Sequence, residues 1–191
     1  MGDRSAQAIY LVTGTVHGGK TTYLAALVGL LKKRGLKIAG FLAPGSFSRN
    51  ARSGYTLSDI ASGRELPMAS AKEQEGWIRY RRFWFNPLAF IQGRDWVDSA
   101  LRANPDVLVI DEVGPMELEG SGWSESLVAW STQPVPVQLW SVRITLLSEY
   151  MQQWKVPAGQ ILRVDRMTAE QAAEQIFEYL RNKKKTTNKD Q

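Results

Sequence analysis

Gly14-Thr15-Val16-His17-Gly18-Gly19-Lys20-Thr21 sets three glycines, a lysine and two hydroxyls within eight consecutive residues. The run fits the pattern G-x-x-x-x-G-K-[ST], a backbone loop shaped to hold phosphate. Glycines let main-chain N–H groups turn inward around phosphate oxygens without Cβ clashes. A helix starting at the loop adds partial positive charge where the anion sits. Lys20 can then reach β- and γ-phosphates as a point charge, and Thr21 can place its hydroxyl on Mg²⁺. Gly14, Thr15, Val16, His17, Gly18, Gly19, Lys20, Thr21 and Thr22 form the expected nucleotide-contacting set. His17 either touches phosphate or faces solvent, since the chemistry does not require an imidazole. A random chain of this length matches the pattern about 1% of the time, and strand–loop–helix context lowers that further.

The second candidate is the acidic pair Asp111-Glu112, at the end of the apolar run Val107-Leu108-Val109-Ile110. Ligands of parallel sheets bind at the carboxyl ends of strands, which is also the edge carrying the loop. Asp111 is expected to hold Mg²⁺, directly or through water. Glu112 points elsewhere because adjacent strand residues alternate sides, and it is expected to orient and deprotonate an attacking water. Asp111-Glu112-Val113-Gly114 also spells the D-x-x-G of switch GTPases. Their guanine-reading N-K-x-D is missing, because Asn188-Lys189-Asp190 lacks the spacer.

Positioning these groups requires alternating strands and helices. Ala8 to Thr13 reads as a buried strand, Lys20 to Arg34 as a helix stopped by Gly35, and Leu36 to Leu42 as a second strand. Residues 43–70, rich in Gly, Ser, Pro and Arg, read as a β-rich excursion with a strand at Tyr55 to Ile60. Ile78 to Phe85 predicts one strand. Asn86-Pro87 then caps and opens a helix to about Ala103. Beyond the acidic strand come a helix over Gly122 to Trp130, a strand over Val135 to Val142, a helix over Thr145 to Trp154 and a strand over Gln160 to Val164. Thr168-Ala169-Glu170-Gln171 is a capping box for a final helix. The alternation predicts a mostly parallel sheet covered on both faces.

The chain has 191 residues, 43% hydrophobic and 23% charged, enough for one α/β domain with a real core. The absence of Cys removes disulfides, thiolate zinc sites and cysteine nucleophiles, and the single His disfavours histidine metal centres and Ser-His hydrolases. Of the net charge of +5, residues 181–191 hold +4, so the charge belongs to a tail and nucleic acid is disfavoured as a partner. One domain is expected over residues 1–182, with a basic, disordered tail over 183–191. Met1-Gly2-Asp3-Arg4-Ser5 has no secretory pattern and no apolar run reaches membrane-spanning length, so a cytoplasmic monomer with no membrane partner is expected.

Four segments together resemble the small nucleoside-triphosphatases first described from thermophiles. They are the loop at 14–21, Gly40-Phe41, the Arg-rich stretch from Ser48 to Ile60, and Ile110-Asp111-Glu112-Val113-Gly114-Pro115-Met116-Glu117-Leu118. The likeness covers roughly residues 8–145 and departs from the family at His17 and Gly18. It implies a RecA-like, three-layer P-loop domain. The implied activity is Mg²⁺-dependent hydrolysis of nucleoside triphosphates, ATP and GTP among them, to diphosphate and phosphate with loose base preference. The resemblance also implies the same roles for Lys20, Thr21, Asp111 and Glu112. In that fold the strand after the acidic pair lies between it and the loop strand. Its end brings Ser141 or Arg143 near the γ-phosphate, where Arg143 acts as an in-cis arginine or instead pairs with a surface acid. Arg49, Arg52, Arg79, Arg81 and Arg82 rank below it. Tyr80, Phe83, Trp84 and Phe85 either stack a base or belong to the core.

Two other readings stand beside hydrolysis. Thr13 to Gly40 also resembles adapters of molybdopterin-guanine dinucleotide assembly, which implies GTP binding and a partner protein docked on the Trp-rich helices. A nucleoside or nucleotide kinase would instead use Glu112 on a substrate hydroxyl beneath an Arg-rich lid.

Overall fold

The computed structural model describes residues 7–15 and 18–187. The loop strand β1 (Ala8–Gly14) leads into helix α1 (Lys20–Lys33), followed by β2 (Ile38–Leu42). An antiparallel excursion follows, formed by β3 (Gly45–Ser48), β4 (Ala51–Asp59), β5 (Glu65–Ser70), β6 (Ile78–Tyr80) and β7 (Phe83–Phe85). Helix α2 (Pro87–Leu101) returns the chain to β8 (Val107–Val113), the acidic strand. Short helices α3 (Pro115–Leu118) and α4 (Ser124–Trp130) precede β9 (Val137–Arg143), α5 (Leu147–Trp154), β10 (Ile161–Arg163) and α6 (Ala169–Thr187).

The strands form one sheet in the order β10-β1-β9-β8-β2-β4-β5-β7-β6, with β3 on β4. From β10 to β2 every pairing is parallel, and from β2 outward every pairing is antiparallel. This is a three-layer P-loop NTPase fold with a β-rich extension. Period-two alternation divides each central strand between two cores. Leu11, Leu108, Ile110 and Trp140 face the layer of α2, α4 and α5. Tyr10, Val12, Val107 and Val109 face α1 and α6, where Leu24, Leu27, Leu31, Ile176 and Leu180 meet them.

Local rules placed several boundaries. The Asn86 side chain accepts a hydrogen bond from Leu88 N at 3.1 Å, capping α2 with Pro87 at its first position. The box at α6 is closed by Gln171 N on Thr168 Oγ1 at 3.3 Å and Thr168 N on Gln171 Oε1 at 2.9 Å.

Two expectations change. Ile78 to Phe85 is not one strand but a tight hairpin, with Arg81 at the turn in the left-handed region at φ 54°. No Gly, Pro, Asn or Asp marks that turn, so its apolar run reads as continuous. The basic tail expected from residue 183 starts inside α6, which continues to Thr187. Lys184 and Lys185 lie in its last turn, where cations complement the helix dipole. Val16, His17 and the Asn188-Lys189-Asp190 triplet lie outside the described residues. Among the described residues, no helix is long and apolar enough to cross a membrane.

Four of the seven tryptophans, Trp96, Trp123, Trp130 and Trp140, are buried in the core. Trp123, Trp130 and Trp140 are each no more than 2% exposed. Trp123 stacks on Phe41 at 4.7 Å and on Phe90 at 4.8 Å. A docking surface built on these three rings is thereby removed.

Gly40 locks the centre of the sheet to the acidic strand. Its φ is +109°, and a Cβ there would lie 1.9 Å from the Val109 carbonyl oxygen, its partner on β8. Backbone cannot yield as a flexible side chain does. Gly40→Ala is therefore expected to cost roughly 3 kcal/mol or more, read as a lowered urea midpoint. A loss no larger than that of an ordinary surface substitution would contradict the strain.

Candidate active site

The loop begins where β1 ends. A Cβ on Gly14 would approach Val164 Cγ2 to 2.6 Å, so any larger residue where the chain leaves β1 would force the Val164 side chain to shift. Gly18 N donates to Thr15 O at 2.9 Å, and Gly19 enters α1 at φ 77°, the left-handed position among the described loop residues. Gly19 O then accepts from Tyr23 N at 2.8 Å, starting the helix. Lys20 is buried, Thr21 half-buried and Thr22 exposed on the first turn.

Strand β9 lies between β1 and β8, as the resemblance implies, so the loop and the acidic pair are two strand spacings apart, roughly 10 Å. Register carries Arg143 opposite Gly14 and Trp140 opposite Ile110. Asp111 is fully buried. Its Oδ2 accepts from Ala43 N at 3.0 Å, and its Oδ1 accepts from Glu112 N at 2.9 Å and from the Ser141 hydroxyl in a very short contact. Glu112 N also donates to Ser141 Oγ at 2.9 Å.

Glu112 leaves the strand by a different route from simple alternation. Its φ is +59°, and the β8–β9 register shifts between Ile110 and Val113. A bulge of this kind re-aims a side chain, here at a measurable cost for a residue with a Cβ. Burial, reinforced by the Asp111 charge, raises the Glu112 pKa above the usual carboxylate range, while Lys20, Arg143 and Arg52 pull it back. The four expected groups Lys20, Asp111, Glu112 and Arg143 therefore share one electrostatic neighbourhood. Among the described residues, no carboxylate lies within ion-pair distance of Arg143.

Glu112 and Arg143 open on a cavity of about 290 Å³ between the end of β8 and the excursion. Gly114, Met116 and Glu117 line one side; Tyr55, Met68, Phe83, Phe85 and Phe90 line the other. Of the four aromatics considered for stacking, Tyr80, Phe83 and Phe85 reach this space and Trp84 does not.

Sequence reasoning missed three contributors. Ala43 gives only a backbone N–H to Asp111, which no residue type advertises. Tyr150 donates its hydroxyl to Gly114 O at 2.7 Å. Glu117, though inside the quoted acidic segment, had no assigned role. Its Oε2 accepts from Gly114 N at 2.7 Å and its Oε1 from Trp123 N at 3.1 Å, which ties the turn after β8 to α4. Burial pushes its pKa from 4.5 up to about 7 despite those two N–H groups. Between those values the folded state binds more protons than the unfolded state, so stability falls as pH rises. The full effect is roughly 3 kcal/mol. Urea midpoints taken below and above this window are expected to show that slope in wild type and its loss in Glu117→Gln.

The NTPase family model matches residues 9–177. The chain belongs to the NTPase family. This NTPase is 31% identical over 110 residues to nucleoside-triphosphatase THEP1 of Sulfolobus acidocaldarius, covering 56% of the chain but 60% of that relative's length. It is 24% identical over 172 residues to the protein of the same name from Caldivirga maquilingensis, covering 89% of the chain and 93% of the relative. The solution structure of a human cancer-related nucleoside triphosphatase shares its fold with a TM-score of 0.61, at 21% identity over 91% of this chain and 95% of that one. The crystal structure of THEP1 from Aquifex aeolicus gives a TM-score of 0.58, at 17% identity over 81% and 87% of the two chains.

Proposed function

We propose that this NTPase hydrolyses nucleoside 5'-triphosphates, ATP and GTP among them, to diphosphate and phosphate with Mg²⁺ and loose base preference. The observation that carries this reading is the placement of Arg143 opposite Gly14 at the start of the loop, on the strand between the loop and the acidic pair, beside an Asp111 locked by Ser141 and Ala43. Supporting it, the donors near the loop are hard oxygens, from Thr21, Asp111 and Ser141, which suit Mg²⁺. Among the described residues no cluster of three or more acidic or histidine ligands forms. That fits a cation shared between one or two protein oxygens and substrate phosphates, as Mg²⁺ usually is. Thr21 and Asp111 would hold it, and when bound it would neutralise charge developing on the β- and γ-oxygens.

The chain's own groups do the rest. Backbone amides of the loop and Lys20 bind the phosphates. Glu112 accepts a proton from water as the water oxygen bonds to Pγ, and the bond from Pγ to the β,γ-bridging oxygen breaks to release diphosphate. Arg143 balances charge on the equatorial oxygens. The sequence holds no N-K-x-D reader of guanine, so that source of base preference is not available to the site.

Phosphate release from ATP, GTP, CTP and UTP with Mg²⁺ tests the reading. All four are expected to be hydrolysed at comparable rates, and Lys20→Ala is expected to lower the rate by roughly 10²–10³-fold. Tight binding without release in wild type would contradict it.

A further inference from the structure

We propose that the cavity beside Glu112 is an acceptor site. It takes a planar heteroaromatic compound of nucleoside size carrying a free hydroxymethyl group, and the γ-phosphoryl passes to that hydroxyl. The inference rests on the triphosphate reading above, because it places Pγ between the loop and Glu112.

Location argues first. The loop rises from β1, while the cavity walls come from β4, β5 and β7, on the far side of β8 in the sheet order. Glu112 stands between the two compartments and lines the cavity itself. Hydrolysis needs room for one water at that carboxylate. A cavity of about 290 Å³ is far larger, at the lower end of small-molecule pockets.

The lining then selects the occupant. Tyr55, Phe83, Phe85 and Phe90 offer ring faces, and Met68 and Met116 offer adaptable thioethers, surfaces that accept a flat π-system without reading its edge. Glu112, Glu117 and Arg143 contribute charged groups from the ends of β8 and β9 and from α3, and Arg81 and Arg82 contribute two more from the β6–β7 turn. The Glu112 and Glu117 carboxyl groups suit a neutral hydroxyl as the group that meets Pγ, and the arginines separate a nucleoside from a nucleotide only by experiment. Across the mouth, Arg81 on the β6–β7 turn pairs with Glu119 at 3.0 Å, linking the excursion to the segment after α3.

The step balances. The acceptor oxygen bonds to Pγ, its proton passes to the Glu112 carboxylate, and the bond from Pγ to the β,γ-bridging oxygen breaks with its electron pair leaving on the diphosphate. Water in the same position gives hydrolysis when no acceptor is bound.

The test incubates the whole chain with Mg²⁺ and γ-labelled ATP. Separate arms contain adenosine, guanosine, cytidine, uridine or 3-hydroxymethylpyridine, and labelled ester and free phosphate are both measured. At least one arm is expected to yield ester while free phosphate falls, and the arms tell a nucleoside from a simpler heteroaromatic alcohol. Met68→Trp and Met116→Trp, which fill the cavity from opposite walls, are each expected to lower the ester-to-phosphate ratio by about tenfold or more. Phosphate release with no ester in any arm overturns the acceptor site and leaves hydrolysis standing. Neither product in any arm overturns both. An unchanged ratio in the two tryptophan variants also overturns the site, as does a raised KM for ATP without acceptor, which would mean that the cavity holds the donor's own base.

Discussion

Glu112→Gln is expected to lower kcat for triphosphate hydrolysis by roughly 10²–10⁴-fold, the range supplied by a positioned general base. The substitution keeps the shape and keeps the backbone N–H that holds Asp111 and Ser141, at 2.9 Å in each case. It removes only the ability to take a proton. Removing a negative charge next to a polyanion also leaves KM unchanged or lowers it, so the loss belongs to kcat. In wild type the base works only when ionised. Because burial and Asp111 raise its pKa, activity is expected to climb with pH through a midpoint above the ordinary 4.5 and then level off. A Glu112→Gln protein with the wild-type rate would remove the residue from the chemistry.

Arg143→Ala carries a comparable effect by another route. An arginine supplied in cis to the transferring phosphoryl group is worth roughly 10³-fold or more in kcat. Arg143 has the position for it: β9 ends with this residue in register with Gly14, at the start of the loop. Its charge also favours ionised Glu112. Removing it therefore raises the Glu112 pKa further, and the acid limb of the pH profile is expected to move to higher pH. A purely structural arginine would lower stability without moving that limb. Arg143→Lys is expected to restore the limb but only part of kcat, since a lysine supplies the charge without the planar fork.

The parts of the site that depend on type and spacing were legible in the sequence. Gly14 through Thr21 requires glycine and lysine for reasons any chain shares, and Asp111 follows four apolar residues, three of them β-branched, that read as a buried strand. The order of β1, β9 and β8 followed from the resemblance, since strand pairing across the molecule leaves no local mark. What stayed hidden is conformational or nonlocal. Glu112 adopts a left-handed φ although Glu carries no such preference, because the bulge against β9 imposes it. Arg81 turns a hairpin without a turn residue, held by pairings of β6 with β7 and β7 with β5. Trp123 and Trp130 gave no clue to their burial, because an aromatic at or beside a short helix reads alike as core or as surface. The cavity is assembled from β4, β5, β7, α2 and β8, so no window of sequence contains it.

A crystal structure with Mg²⁺ and a non-hydrolysable triphosphate analogue decides whether the loop and the acidic pair act on one triphosphate. The β- and γ-phosphates are expected against the amides of Gly18 to Thr21, with Lys20 Nζ on the γ-phosphate and a water bridging Pγ and the Glu112 carboxylate. A triphosphate bound away from Lys20, or a γ-phosphate turned away from β8 with no solvent path to Glu112, would contradict it.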